Sequence, residues 1–159
     1  MENKKVLAVI PARGGSKGLP NKNIMRIKGK TLIEIAIEQA SKIKGIDGII
    51  FSSDSQDYCQ IAKKAGANVL GLRSAALSMD STKTIEVLLD LTKYFPKLNT
   101  ILLLQPTSPV RSVEDIQKAL DLSILNKQTV ISVSRVEEPH PSKMFYMDDG
   151  TKKNELKPY

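Results

Sequence analysis

The chain has 159 residues, 41% apolar and 26% charged, which suits one soluble globular domain with a core of its own. Its longest apolar runs, Val6–Pro11 and Ile101–Leu104, fall far short of the roughly 18 residues a membrane span needs, and no signal-peptide pattern follows Met1. A cytoplasmic protein with no membrane partner is therefore expected. A single cysteine, Cys59, excludes an internal disulfide framework, and a single histidine, His140, speaks against a Cys/His zinc site.

The elements alternate along the chain. Val6–Pro11 is a continuous apolar run stopped by proline, the pattern of a strand buried on both faces. Thr31–Ile43 carries Ile33, Ala36, Ile37, Ala40 and Ile43 at helical spacing. Ile49–Ser52 reads as a second strand. Ser55–Ala65 reads as a helix with Tyr58, Ile61, Ala62 and Ala65 on one face and Gly66 as its stop. Ala67–Leu72 is expected as a third strand, and Thr82–Phe95 as a helix burying Ile85, Leu88, Leu89 and Phe95. Thr100–Leu104 is a fourth strand. It is followed by a helix capped by Ser112, with Val113, Ile116, Ala119 and Leu120 inward. Thr129–Ser134 is expected as a fifth strand.

Five strand-and-helix alternations predict βαβ units, and hence a three-layer, doubly wound, mostly parallel α/β sheet. Residues 1–135 read as this core. Residues 136–159 differ: Pro139–Ser142 is irregular, Met144–Met147 reads as a short strand, Asp148-Asp149-Gly150 as a turn, and the final residues as a fold cut short. In such a sheet ligands bind at the carboxyl ends of the strands. The informative loops are therefore Ala12–Asn23, Ser53–Ser55, Arg73–Ser81 and Gln105–Arg111.

The net charge of +7 is concentrated. Residues 1–44 hold ten Lys/Arg against three acids, and the remainder is balanced at fourteen each. A local excess points to a small polyanion such as a nucleotide phosphate. With 4% aromatics and no Trp there is little to stack on single-stranded nucleic acid, and no nucleic-acid partner is expected. Much of the excess lies in Ala12-Arg13-Gly14-Gly15-Ser16-Lys17-Gly18-Leu19-Pro20-Asn21-Lys22-Asn23, directly after the first strand. The glycines let backbone N–H groups approach an anion, and Arg13, Lys17 and Lys22 supply cations. Such a loop can hold a triphosphate and stabilise a departing pyrophosphate. It is neither a Walker A loop nor a G-x-G-x-x-G fingerprint. A solvated Gly/Lys surface loop is the alternative.

IPARGGSKGLPNKN, then VLGLRSAALSMDSTKT, LLLQPTSPVR and PHPSK, in that order, resemble the motifs of the CMP-sialic acid synthetases (acylneuraminate cytidylyltransferases). The resemblance covers essentially the whole chain and is shared with synthetases for legionaminic and pseudaminic acids. It implies a Rossmann-like nucleotidyltransferase fold and a Mg²⁺-dependent reaction, CTP plus a nonulosonic acid giving a CMP-sugar and pyrophosphate. It assigns Arg13, Lys17 and Lys22 to the phosphates as catalytic groups. Ala12, Arg13, Gly14, Gly15, Ser16, Lys17, Asn23, Arg73 and Thr82 would line the nucleotide site, and Gln105 and Lys143 the sugar site.

Family members run on past this chain, into a D-[IL]-D motif that binds the metal and most of an arm that makes the homodimer. Neither occurs here, and no metal ligand is identified. Slow or absent turnover is expected of this chain alone, and a noncatalytic nucleotide- or sugar-phosphate-binding module is the rival. Simpler roles also stand for single residues. Gln105 fits a turn before Pro106, Arg73 a surface ion pair, Thr82 a helix N-cap, Asp80 a loop acid, His140 a loop residue and Cys59 a packing residue.

Overall fold

The apolar run near the N-terminus is the middle strand, β1 (Lys5–Pro11), in the computed structural model, which describes residues 5–15 and 18–133 and the backbone of 145–147 and 156–158. It pairs in parallel with β4 (Gly48–Ser52) on one side and β5 (Leu98–Leu103) on the other. Alternation along β1 sends side chains to two cores. Val6, Ala8 and Ile10 join one core, and Leu7 and Val9 the other.

The first core is covered by α1 (Leu32–Ser41), α2 (Gln56–Lys64) and α4 (Val113–Asn126). Ile33, Ala36, Ile37 and Ala40 of α1 are all buried, as their spacing demands. Tyr58 and Ala62 of α2 and Ile116 and Leu120 of α4 meet them. The second core is smaller. Leu7, Val9 and Ile50 pack against Leu91 of α3 (Thr84–Thr92). Helices on both faces of a parallel sheet make the expected three-layer, doubly wound α/β architecture.

Helix starts follow local chemistry. Thr31 caps α1 with a reciprocal box: its hydroxyl accepts from the Glu34 N–H, and the Glu34 carboxylate accepts from the Thr31 N–H. Ser55 and Ser112 cap α2 and α4 with their hydroxyls. The sequence pattern did not show the hairpin of β2 (Arg26–Ile27) and β3 (Lys30–Thr31). Lys28 and Gly29 both have positive φ (49° and 83°), as a tight two-residue turn requires. In the tail, β6 (Phe145–Met147) pairs antiparallel with β7 (Leu156–Pro158). The rest of residues 136–159 lies outside the described residues.

Three expectations need correction. The third strand, Ala67–Leu72, reduces to a single parallel bridge between Ile50 and Asn68. Asn68 exchanges backbone hydrogen bonds with Ile49 and Phe51, and the chain then leaves the sheet through Gly71. The described part of the fifth strand, residues 129–133, pairs in a ladder with no other described strand. Its β-branched residues supply propensity but no partner, and pairing is what makes a strand. Finally, α3 turns Ile85 and Leu89 outward, at 54% and 58% exposure, and buries Val87 and Leu91. The helix begins at Thr84 rather than Thr82, and its inward row is Thr84, Val87, Leu88 and Leu91.

Candidate functional site

All three parallel strands point their carboxyl ends toward one edge, where β1 and β4 hand the chain to the loops. Ala12 donates its N–H to Ser52 O (3.0 Å), and Leu104 donates to Val9 O (3.0 Å), so the ladder holds the first residue of each loop. A cleft of about 250 Å³ opens here. It is lined by residues from four segments: Pro11–Arg13, Lys22 and Asn23, Arg73 to Val87, and Gln105–Thr107. Beside it lies a second cleft, lined by Gly14, Gly15, Asp54 and Ser55 and sharing Arg13 and Asp80.

Residues far apart in sequence thus meet. Of the predicted site residues, Ala12, Arg13, Lys22, Asn23, Arg73, Thr82 and Gln105 line the first cleft, and Gly14 and Gly15 the second. Ser16, Lys17 and Lys143 lie outside the described residues. Thr82 does not cap α3: its hydroxyl donates to Ala76 O (3.2 Å), and Lys83 occupies the cap position.

Arg73 is not a surface residue. Its side chain is 7% exposed, its Nε donates to Ser78 Oγ (3.0 Å), and its Nη2 lies 3.9 Å from Asp54 Oδ1. Its backbone N–H reaches Ser53 O (2.8 Å), tying the loop after the Asn68 bridge to the end of β4. Burial pulls its pKa below the ordinary value, Asp54 opposes that, and Arg13 adds to it. An arginine remains charged under such pressure, and so gains from an anion brought beside it. Arg13 pairs with Asp80 across the cleft.

Asn23 is buried, and its amide donates to Arg13 O (3.1 Å). Gly14 donates its N–H to Asp54 Oδ1 (2.8 Å). Gly15 has φ +63°, a left-handed turn that glycine adopts without steric cost. The loop bearing Gln105 is pinned from α1. Gln39 Nε2 donates to Pro109 O (2.9 Å) and Arg111 O (3.0 Å), and Arg111 Nε donates back to Gln39 Oε1 (3.1 Å).

Cys59 is buried on α2, and burial pushes its thiol upward, which fits the packing role and no nucleophilic one. Asp80, expected only as a loop acid, and Asp54, expected only as a member of the loop Ser53–Ser55, were given no site role from sequence, yet both hold the site's cations or backbone. The available signal was their place, each in a loop at the carboxyl ends of the strands.

A family model described as cytidylyltransferase matches residues 7–155. The chain belongs to the cytidylyltransferase family. Within that family it is 39% identical over 136 residues to a CMP-N,N'-diacetyllegionaminic acid synthase of Legionella pneumophila, a match covering 83% of this chain and 59% of that protein. It is 36% identical over 137 residues to an N-acylneuraminate cytidylyltransferase of Escherichia coli O18:K1:H7, covering 85% of this chain and 32% of that one. The chain therefore spans between a third and three fifths of these relatives' lengths. The fold matches a CMP:2-keto-3-deoxy-manno-octonic acid synthetase solved with CTP, at TM-score 0.68 and 23% identity, over 78% of this chain and 49% of that one.

The residues described do not make a metal site by themselves. Asp54 and Asp80 are the acids lining the two clefts. Asp54 Oδ1 accepts from Gly14, and Asp80 pairs with Arg13. Among the described residues no three of His, Cys, Asp and Glu come together as metal ligands. Nor, among them, is any helix long and apolar enough to cross a membrane.

Proposed function

We propose that this chain carries the nucleotide-binding part of a cytidylyltransferase that activates a nonulosonic acid of the sialic type. CTP and the sugar acid give a CMP-sugar and pyrophosphate. The anomeric oxygen bonds to the α-phosphorus and passes its proton to water, while the bond from that phosphorus to the α,β-bridging oxygen breaks and its electron pair leaves with pyrophosphate. The supporting observation is the meeting of Arg13, Lys22, Arg73 and Gln105 in one cleft at the strand ends. Relatives named for legionaminic and N-acylneuraminic acids support the substrate class.

In this reading Arg13 and Lys22 take the triphosphate, with Lys17 joining them from the same loop. Fixed cations stabilise charge that grows on the leaving pyrophosphate, with no reorganisation at the moment of reaction. Arg73 and Thr82 face the cytidine, and Gln105 meets the sugar acid, with Lys143 from the tail. A Mg²⁺ ion would be held mainly by the CTP phosphates and would supply charge neutralisation there, since the two carboxylates lining the clefts, Asp54 and Asp80, are engaged with Gly14 and Arg13. The same reading makes the protein cytoplasmic, and a homodimer at the length of its relatives.

A second reading has a specific observation behind it. The absence of a carboxylate cluster among the described residues favours a module that binds nucleotide without turnover. Incubating the chain with CTP, Mg²⁺ and sialic, legionaminic or pseudaminic acid separates the two. CMP-sugar with equimolar pyrophosphate, formed slowly, supports the enzyme. CTP binding with no product supports the module, and neither binding nor product sinks both.

A further inference from the structure

The peptide unit joining Arg13 to Gly14 is gripped at both ends. Its carbonyl accepts from Asn23 Nδ2 at 3.1 Å, and its N–H donates to Asp54 Oδ1 at 2.8 Å. The two grips come from different parts of the chain, the 3₁₀ turn Lys22–Ile24 and the loop after β4. A peptide is a rigid plane, so a hydrogen bond at each end removes its freedom to rotate.

The residue before it is fixed as well, since Ala12 donates its N–H to Ser52 O. That bond holds the Pro11–Ala12 peptide, so the Arg13 side chain leaves from a backbone clamped on its carbonyl side and anchored one residue upstream. Asp54 is itself braced. Arg73 Nη2 lies 3.9 Å from the same Oδ1, and the neighbouring Ser55 N–H donates to Ser53 Oγ at 3.1 Å.

Resting on the cytidylyltransferase reading, we propose that Asp54 and Asn23 are positioning residues that act through this one peptide to aim Arg13 at the nucleotide phosphates. The Gly14 N–H is committed to Asp54 and is not itself a donor to the phosphate. A guanidinium held in place binds an oxyanion without first losing the freedom of a loop.

The proposal separates acceptor from charge. Gly14 and Arg73 both converge on one oxygen of Asp54, and an asparagine supplies one oxygen. In the full chain, Asp54→Ala and Asn23→Ala should each weaken CTP binding by about tenfold, the size of effect a lost hydrogen bond to a charged or buried group produces. Asp54→Asn should stay within about threefold of the parent, because the acceptor survives. The double variant Asn23→Ala/Asp54→Ala should lose clearly less than the product of the two single losses, because one release already frees the plane. In the nucleotide-free protein the Gly14 amide proton resonance should move upfield in Asp54→Ala and hold its place in Asp54→Asn.

Loss in Asp54→Asn equal to that in Asp54→Ala would overturn the proposal, as would fully multiplicative losses or a Gly14 amide unmoved by Asp54→Ala. Should Asn23→Ala fail to fold by circular dichroism, the two Asp54 variants decide alone. If the parent chain binds no CTP, the functional reading falls, and the Gly14 resonance still decides whether the clamp exists.

Discussion

Arg13 and Asp80 form an ion pair across the mouth of the cleft, one from the glycine-rich loop and one from the loop that follows Arg73. Both side chains keep partial contact with water, so the pair is weakly held on the scale of such contacts. In the proposed reading Arg13 faces the triphosphate, so the Asp80 carboxylate stands where a phosphate oxygen would, and nucleotide binding would exchange one anion for another. Asp80→Asn is expected to tighten CTP binding by roughly threefold, consistent with a half-exposed pair worth under about 1 kcal/mol. A tenfold weakening in a titration would show instead that Asp80 contributes to the bound state.

The capping box at the start of α1 makes a pH prediction. The Glu34 carboxyl lies below its ordinary value of 4.5, chiefly because it accepts the Thr31 N–H and then the Thr31 hydroxyl. A lowered folded pKa means that the unfolded chain binds the proton more readily. The stabilisation is present above the unfolded value and fades as pH falls through the folded one. Glu34→Gln should lower stability in thermal unfolding at neutral pH, by less than about 1 kcal/mol given the solvent around the group, and the difference should close as the pH falls through the lowered folded value. A gap that persists unchanged at the acid end would assign the loss to packing.

The orientation of α3 is testable by paired truncation. Leu91 is 7% exposed and packs on Leu7, Val9 and Ile50, while Leu89 is 58% exposed. Leu91→Ala should cost about 2–4 kcal/mol in denaturant unfolding. Leu89→Ala should stay near 0.5 kcal/mol, about the range of surface changes. Equal costs would mean that the helix is rotated from the orientation described here.

The fold was legible where one residue pattern had one interpretation. Val6–Pro11 is apolar throughout because β1 is covered on both faces, and the α1 stripe at 33, 36, 37 and 40 is buried to the last residue. The failures share a cause. Ala67–Leu72 and residues 129–133 carry strand-like residues, but a strand exists only where another backbone lies beside it, and no local pattern records that. On α3, Leu88 and Leu89 are adjacent, and the pattern cannot tell which one faces the sheet once the start slips from 82 to 84. At the site, the cations were found because glycine and positive charge cluster in sequence. Asp54 was missed because its partners, Gly14 and Arg73, lie 40 residues before it and 19 after.

The most direct test of the account is calorimetric titration of the chain with CTP, ATP and GTP in the presence of Mg²⁺, repeated on Arg13→Ala. CTP should bind in preference to ATP and GTP, and removal of the guanidinium should weaken that binding at least about tenfold. Equal binding of all three nucleotides, or an affinity for CTP that Arg13→Ala leaves unchanged, would contradict it.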